Sequence, residues 1–391
     1  MSSHQHTSIG RNKPRTATMR DFEIPDPSDA TVFHAYRLRS LATSVSPETR
    51  SSMYDEAYEI RRWTEFCENC FSYKPNPPNA EYFARHYYND PQRDASLVKI
   101  VEWKNSDTDE WEIAASTRVF RRVISTGTNG QSIVVGGIGE VCTSDKHRRR
   151  SLSKMLLHDA IESMEAMGME ASLLHASPAL QAVYERGGNY TAVTSRWSVV
   201  KVKKDGLNKV DNNFSGYQIR LASFPGDTAY LSAIHREFSE SKFAGCVIRT
   251  DEYWTGYVSK ELEGSLYVLT KDDVVIGCLS VRVRGDRYQL REFGVDTHRC
   301  GVKDALGMLL KEAITCSENH FQLHLPACLL DDDSTRTGTS TSGLFEFVTE
   351  DNDVGWMYRP IQSSKRHGHD MVKYLAENTD LDHLIWPTDS F

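Results

Sequence analysis

Residues 139–157, GEVCTSDKHRRRSLSKMLL, decide how this chain is read. A strand ends near Thr143, a polar turn dense in positive charge follows, and a helix begins at about Ser151. Leu152, Leu156 and Ala160 lie on one ridge of that helix, and Met155, Ile161 and Met164 widen it into an apolar face. The first amides of a helix have no partner within it, and the positive end of the helix dipole lies there as well. Such a start is a ready anion site. Arg148, Arg149 and Arg150 beside it suit a pyrophosphate or a 3′-phosphate.

Moving outward, alternation predicts strands over Ser96–Trp103 and Trp111–Val123, joined by the polar turn Lys104–Glu110, and a third over Ser132–Thr143. After the helix of Ser151–Gly168 come a short buried strand at Ala171–His175 and a short helix over Pro178–Arg186, which stops at Gly187 and Gly188. Thr191–Val202 reads as one closing strand. Upstream, Ser28 or Asp29 is placed to cap a helix through Ala30–Ala42, and apolar spacing of three and four predicts another from Met53 to Phe71. A similar order recurs later: helical Thr250–Leu262, strands Ser265–Thr270, Val274–Val283 and Tyr288–Val295, helix Val302–Ala313, then strand Phe321–Leu325. The expected organisation is a disordered tail over 1–20, a first α/β domain over 21–202, a charged linker over 203–215 and a second, degenerate α/β domain over 216–391. The polar, Gly/Thr/Ser-rich stretch Asp331–Ser342 is a loop, and Leu384-Ile385-Trp386-Pro387 is apolar enough to dock onto the body.

The turn resembles the acetyl-coenzyme A motif of the GCN5-related N-acetyltransferase (GNAT) superfamily: Gln or Arg, two residues, Gly, one residue, Gly or Ala, between a strand and a helix. Arg148, Arg149, Arg150, Ser151, Leu152 and Ser153 occupy those positions, with serine where the family has glycine. Leu180–Tyr190, LQAVYERGGNY, resembles the family's later Tyr and Gly–aromatic signature. The resemblance implies a GNAT fold, a mixed and mainly antiparallel sheet flanked by helices, with a second GNAT-like α/β unit behind it. It implies acetyl-coenzyme A as co-substrate and no metal. It makes Tyr184 the general acid and Glu140 a carboxylate that helps take a proton from the amine. The backbone of Val141 and Thr143 would hold the pantetheine arm, and the turn residues 148–153 the phosphates.

Over nearly its whole length the chain also resembles fungal lysine N6-acetyltransferases of lysine catabolism, down to the ending Trp386-Pro387-Thr388-Asp389. That implies free L-lysine as the small-molecule amine. The two-unit layout further resembles mycobacterial aminoglycoside acetyltransferases, whose terminal carboxylate serves as base, which makes the Phe391 carboxylate a candidate for that role. Polyamine, aminoglycoside or protein-lysine acetylation, and acyl-coenzyme A sensing without turnover, stay open as alternatives.

The formal charge of −8 argues against a nucleic-acid partner. No apolar run is long enough for a membrane span, so no membrane partner is expected. The expected compartment is the cytoplasm, with the mitochondrion as the alternative for the Arg- and Lys-bearing start. The eight cysteines are scattered, and Cys67-x-x-Cys70 has no second pair at zinc spacing, so both read as half-buried helix thiols. Glu292 and Asp296, near the end of a later strand, are expected to be solvated.

Overall fold

The computed structural model describes residues 19–27, 29, 31–43, 55–74, 76–127, 131–210, 216–314, 320–330, 344–361, 370, 372–375 and 382–389. The first half runs β1 (Arg20–Pro25), β2 (Phe33–Ser40), α1 (Glu56–Phe71), α2 (Ala80–Tyr88), β3 (Val98–Lys104), β4 (Trp111–Thr126), β5 (Ser132–Thr143), α3 (Leu152–Ala166), β6 (Ala171–His175), α4 (Pro178–Gly188) and β7 (Thr191–Ala192). The second runs β8 (Trp197–Lys203), α5 (Lys204–Val210), β9 (Tyr217–Leu221), α6 (Thr228–His235), β10 (Ala244–Val247), α7 (Ser259–Glu261), β11 (Leu266–Lys271), β12 (Val274–Arg284), β13 (Arg287–Val295), α8 (Val302–Ala313), β14 (His320–Pro326), β15 (Phe345–Glu350) and β16 (Trp356–Pro360). A π-helical turn, Tyr253–Val258, leads into α7. No described helix is long and apolar enough to cross a membrane.

Among the described residues these strands form two sheets. One follows the order β1-β2-β3-β4-β5-β6-β16-β7, with β10 also paired to β4, and the other β15-β8-β14-β13-β12-β11-β9. Both are antiparallel apart from one parallel step each, β5 to β6 and β13 to β14, bridged by α3 and α8 respectively. This is the expected GNAT-like α/β layout, present a second time in outline. The sheets exchange strands across 203–215: β8 lies wholly in the second sheet, whereas β16 is inserted in the first between β6 and β7.

Several local expectations are corrected. Residues 33–40 are a strand rather than a helix, because Tyr36 and Leu38 alternate with Arg37 and Arg39 at period two and β1 and β3 flank them. Thr191–Val202 is interrupted, its two ends serving different sheets. The charged stretch after 203 begins with α5, whose Leu207 is buried in the second core. Asn189, with φ 56°, closes α4 in the left-handed conformation that Gly187–Gly188 suggested. Glu292 is 1% exposed and paired, not solvated. The tail before residue 19 and the loop Asp331–Ser342 lie outside the described residues.

α1 starts where the Asp55 side chain accepts the Tyr58 amide, and buries Ile60, Trp63 and Cys67 at helical spacing against β4 and β5. α2, capped by Asn79, packs beside it. α3 lays Leu152, Leu156, Ala160 and Met164 on the first sheet. A further core, with Trp254, Tyr257, Trp356 and Tyr358, joins strands of both sheets.

Candidate active site

β5 and β6 pair in parallel from Val135 with Ala171 to Ile138 with Leu174, and no further. Beyond Ile138 the strands part, leaving one edge of residues 139–143 open while the other edge stays bonded to β4. At the parting the β4–β5 register slips: Gly139 faces Arg118 and Cys142 faces Ser116, so Glu140 and Val141 together oppose Thr117. Glu140 takes φ 54°, a left-handed backbone that marks a β-bulge. The bulge turns its side chain inward, where it is 7% exposed.

Burial raises the Glu140 carboxyl, and the Arg118 guanidinium, with its Nη1 3.7 Å from Oε1, opposes that rise. The other carboxylate oxygen, Oε2, is buried with no hydrogen bond among the described residues. Arg118 is held by Asp90 (Nη2–Oδ2 3.0 Å), which Arg122 also grips. Sequence reading missed Arg118; its place opposite the bulge depends on a register slip that no local pattern announces.

The strand continues into the turn. Thr143, His147, Arg148, Arg149, Arg150, Ser151, Leu152, Ser153 and Lys154 line one concavity of about 330 Å³. The structure therefore brings together most of the expected phosphate-binding residues. The amides of Leu152, Ser153 and Lys154 point out of the start of α3 with no recorded partner, and the first turn of α3 holds no acid to neutralise them. By contrast α8 carries Asp304 in its first turn, a negative charge that disfavours an anion at the matching place in the second sheet.

The three arginines differ. Arg149 is exposed with φ 64° and has no partner among the described residues, and Arg148 is exposed, pairs with Asp145 at 2.7 Å and donates from Nε to the Thr143 carbonyl at 3.4 Å. Arg150 points inward, donating from Nη1 to the Tyr36 hydroxyl at 3.0 Å and reaching Asp26 at 3.4 Å. It anchors the turn rather than offering a free arm. Tyr36 also meets His147 Nδ1 at 2.9 Å, and burial, then Arg150, lowers the His147 imidazole to about 4. The ring is neutral at pH 7 and serves as a packed support.

Ser151, at the family's first glycine position, holds φ 60°. A left-handed conformation costs an L-residue about 1–2 kcal/mol, which glycine escapes at some cost in unfolded-state entropy. Ser151→Gly is therefore expected to raise stability by about 1 kcal/mol, read from urea unfolding midpoints; a lower midpoint would show that the serine side chain repays its strain.

Tyr184 lies on α4, half-buried against the core cluster that holds Ile161, Met164 and Leu174, with its ring edge-on to Tyr190 at 6.0 Å. Burial raises its phenol, so it stays protonated at neutral pH. No partner is recorded for its hydroxyl among the described residues, whereas the Tyr190 hydroxyl is bonded to Ser172 Oγ at 2.7 Å. Of the two, Tyr184 is the one whose hydroxyl has no partner among the described residues. Cys67 and Cys70 both lie on α1, beside Cys142 of β5, and no group of metal-ligating side chains occurs among the described residues. Phe391 lies outside the described residues.

Residues 55–192 match the family model described as the acetyltransferase (GNAT) domain. No curated protein matches the chain. Among solved structures, a probable N-acyltransferase from Enterococcus faecalis V583 aligns at TM-score 0.57 and 12% identity, over 89% of this chain and 73% of that one. A GCN5-related N-acetyltransferase from Anabaena variabilis aligns at TM-score 0.55 and 13% identity, over 84% and 73%. Another from Kribbella flavida aligns at TM-score 0.53 and 14% identity, over 88% and 71%. Parted parallel strands, a bulged carboxylate, an unneutralised helix start and the matching model over 55–192 agree: the chain carries an acetyltransferase domain of the GNAT type and is an acyltransferase.

Proposed function

We propose that this protein transfers the acetyl group of acetyl-coenzyme A directly to the N6 amine of L-lysine, with both substrates bound together. The observation that carries the reading is the unbroken path from the Glu140 bulge, along the open edge of residues 139–143, to the free amides at the start of α3. That edge fits a pantetheine arm as an added strand would, through the backbone of Val141 and Thr143. The amides of 152–154 with Arg148, Arg149 and Lys154 fit its phosphates. When bound, the thioester supplies the acyl group.

The protein's own residues then manage protons. A lysine amine near pKa ~10.4 is almost all ammonium at pH 7, and deprotonation there costs roughly 4–5 kcal/mol. The Glu140 carboxylate, held at the parting of the strands, is placed to accept that proton directly or through water. Tyr184, kept neutral by burial, gives its proton to the departing thiolate. The second sheet has no competent phosphate turn and serves as the wall of the acceptor pocket.

Coenzyme A release with L-lysine, spermidine, a lysine-containing peptide and an aminoglycoside tests the reading. Turnover confined to L-lysine supports it, and turnover with the others keeps acyl transfer but removes lysine. Tyr184→Phe is expected to lower kcat by roughly 10²-fold with KM for acetyl-coenzyme A nearly unchanged. One observation favours a second reading, an acyl-coenzyme A sensor: serine at the left-handed Ser151 position. Coenzyme A binding without any release would select it.

A further inference from the structure

Beyond Glu140, α2, α7 and the β12–β13 hairpin converge. Tyr82 of α2 has four charged neighbours: Glu261, Glu140, Arg85 and Arg282. Surrounding protein pushes its phenol up to about 12, yet 36% of the residue meets solvent. Its ring lies against that of His86 (centroids 4.2 Å apart), whose Nε2 reaches Glu261 at 2.9 Å, so Tyr82 borders a partly open cleft at this junction. Arg282 shows the same combination, exposed to solvent while burial lowers its guanidinium. Arg291 occupies a slip in the β12–β13 register, where Val281 faces Leu290 and Ser280 faces Glu292. Its side chain is largely buried there, 3.7 Å from Glu261.

The charges in this cleft do not balance. Glu261 is shared by Arg85 at 3.6 Å, His86 at 2.9 Å and Arg291 at 3.7 Å. Among the described residues, Arg282 is hydrogen-bonded only to the neutral amide oxygen of Gln289, at 3.0 and 2.8 Å. Arg291 Nε is buried and makes no hydrogen bond among the described residues. Arg282 and Arg291 also repel one another. Around Glu261 the guanidiniums thus outnumber the carboxylate, and Tyr82 feels both this excess and the buried Glu140 carboxylate.

Resting on the acetyl-transfer reading, we infer that Arg282 and Arg291 form a carboxylate-binding subsite for the acceptor. The acceptor is an ω-amino acid, its amine toward Glu140 and its carboxylate on the two guanidiniums. Arginine forks match a carboxylate geometrically, and a largely buried guanidinium such as that of Arg291 discriminates against a ligand lacking the acid.

Calorimetric titration in the presence of coenzyme A tests this without requiring turnover. L-Lysine and 6-aminohexanoate are expected to bind, with cadaverine, which has the same chain and no acid, at least about 30-fold weaker. Arg291→Gln and the solvent-exposed Arg282→Gln should each weaken lysine roughly 10–100-fold and leave cadaverine within about threefold, and Arg291→Lys should recover part of the loss. Cadaverine binding as tightly as lysine, no binding of any of the three, or an equal loss for all three would overturn the subsite. Carboxylate-dependent binding without acetylation would leave the subsite standing and remove the proposed reaction. Arg282, being exposed, keeps the test open if Arg291→Gln fails to fold.

Discussion

Arg249→Met is expected to destabilise the protein by roughly 3–5 kcal/mol, because it leaves two buried carboxylates without their cation. Arg249 has no exposed side-chain surface. Its guanidinium donates to Glu292 (Nη1–Oε1 3.1 Å, Nη2–Oε2 2.7 Å) and to Asp389 (Nε–Oδ1 3.1 Å, Nη2–Oδ2 2.7 Å). One face lies over the Trp254 ring at 4.7 Å. Burial alone would raise the Glu292 carboxyl, and Arg249, then His235, bring it below its ordinary value. Removing the cation reverses that balance at Glu292 and leaves the Asp389 carboxylate without its buried partner.

The consequence reaches the segment 382–389, which Asp389 pins between the sheets. Leu384, Ile385 and Trp386 are buried there, Trp386 Nε1 donates to Ser239 Oγ at 3.0 Å, and Thr388 Oγ1 donates to the Arg291 carbonyl at 3.2 Å. The expected docking of this apolar stretch is met. Urea unfolding of Arg249→Met, compared with a variant in which Glu292 and Asp389 are also made neutral, checks the argument. The combined variant should recover much of the loss, since replacing a whole buried ionic set is often nearly neutral. A single variant within about 1 kcal/mol of the parent would show that water already reaches these acids.

The strand–turn–helix over 132–166 was legible because each signal in it is local: a hydrophobic strand, clustered positive charge, then a clean apolar ridge on one helix face. α8 was legible for the same reason. What escaped depends on distant partners. β16 is five residues long and pairs with β6, some 180 positions earlier, so nothing within it names its sheet. β2 misleads because Phe33, Tyr36 and Leu41 also fall at helical spacing; pairing with β1 and β3 settles the period. Arg148, Arg149 and Arg150 look alike in sequence, and only Tyr36 and Asp26, more than a hundred residues away, make the third an anchor. Glu292 seemed a free strand acid until Arg249 was seen beside it. Tyr82, Arg282 and Arg291 carry no motif at all. Their joint setting exists only once α2 meets the β12–β13 hairpin.

The other large effect concerns Glu140. Glu140→Gln is expected to lower kcat/KM by about 10²–10⁴-fold, the usual worth of a placed general base. Glutamine keeps the size of the side chain but cannot take a proton, so the fold should survive while the amine loses its exit route. The pH profile separates this from a packing defect. Burial raises the Glu140 carboxyl, with Arg118 opposing. The working form is the carboxylate, so activity should fall as pH drops through that raised value, and the limb should vanish in the glutamine variant. Glu140→Gly supplies the complementary control. It relieves the backbone at φ 54°, so it should be as stable as the parent or more so, yet as slow as glutamine. Slow and stable together would place the loss in the carboxylate rather than in the bulge. An unchanged acid limb in Glu140→Gln would instead assign proton removal to water or to another acid, and leave Glu140 as the charge that holds Arg118 beside the parted strands.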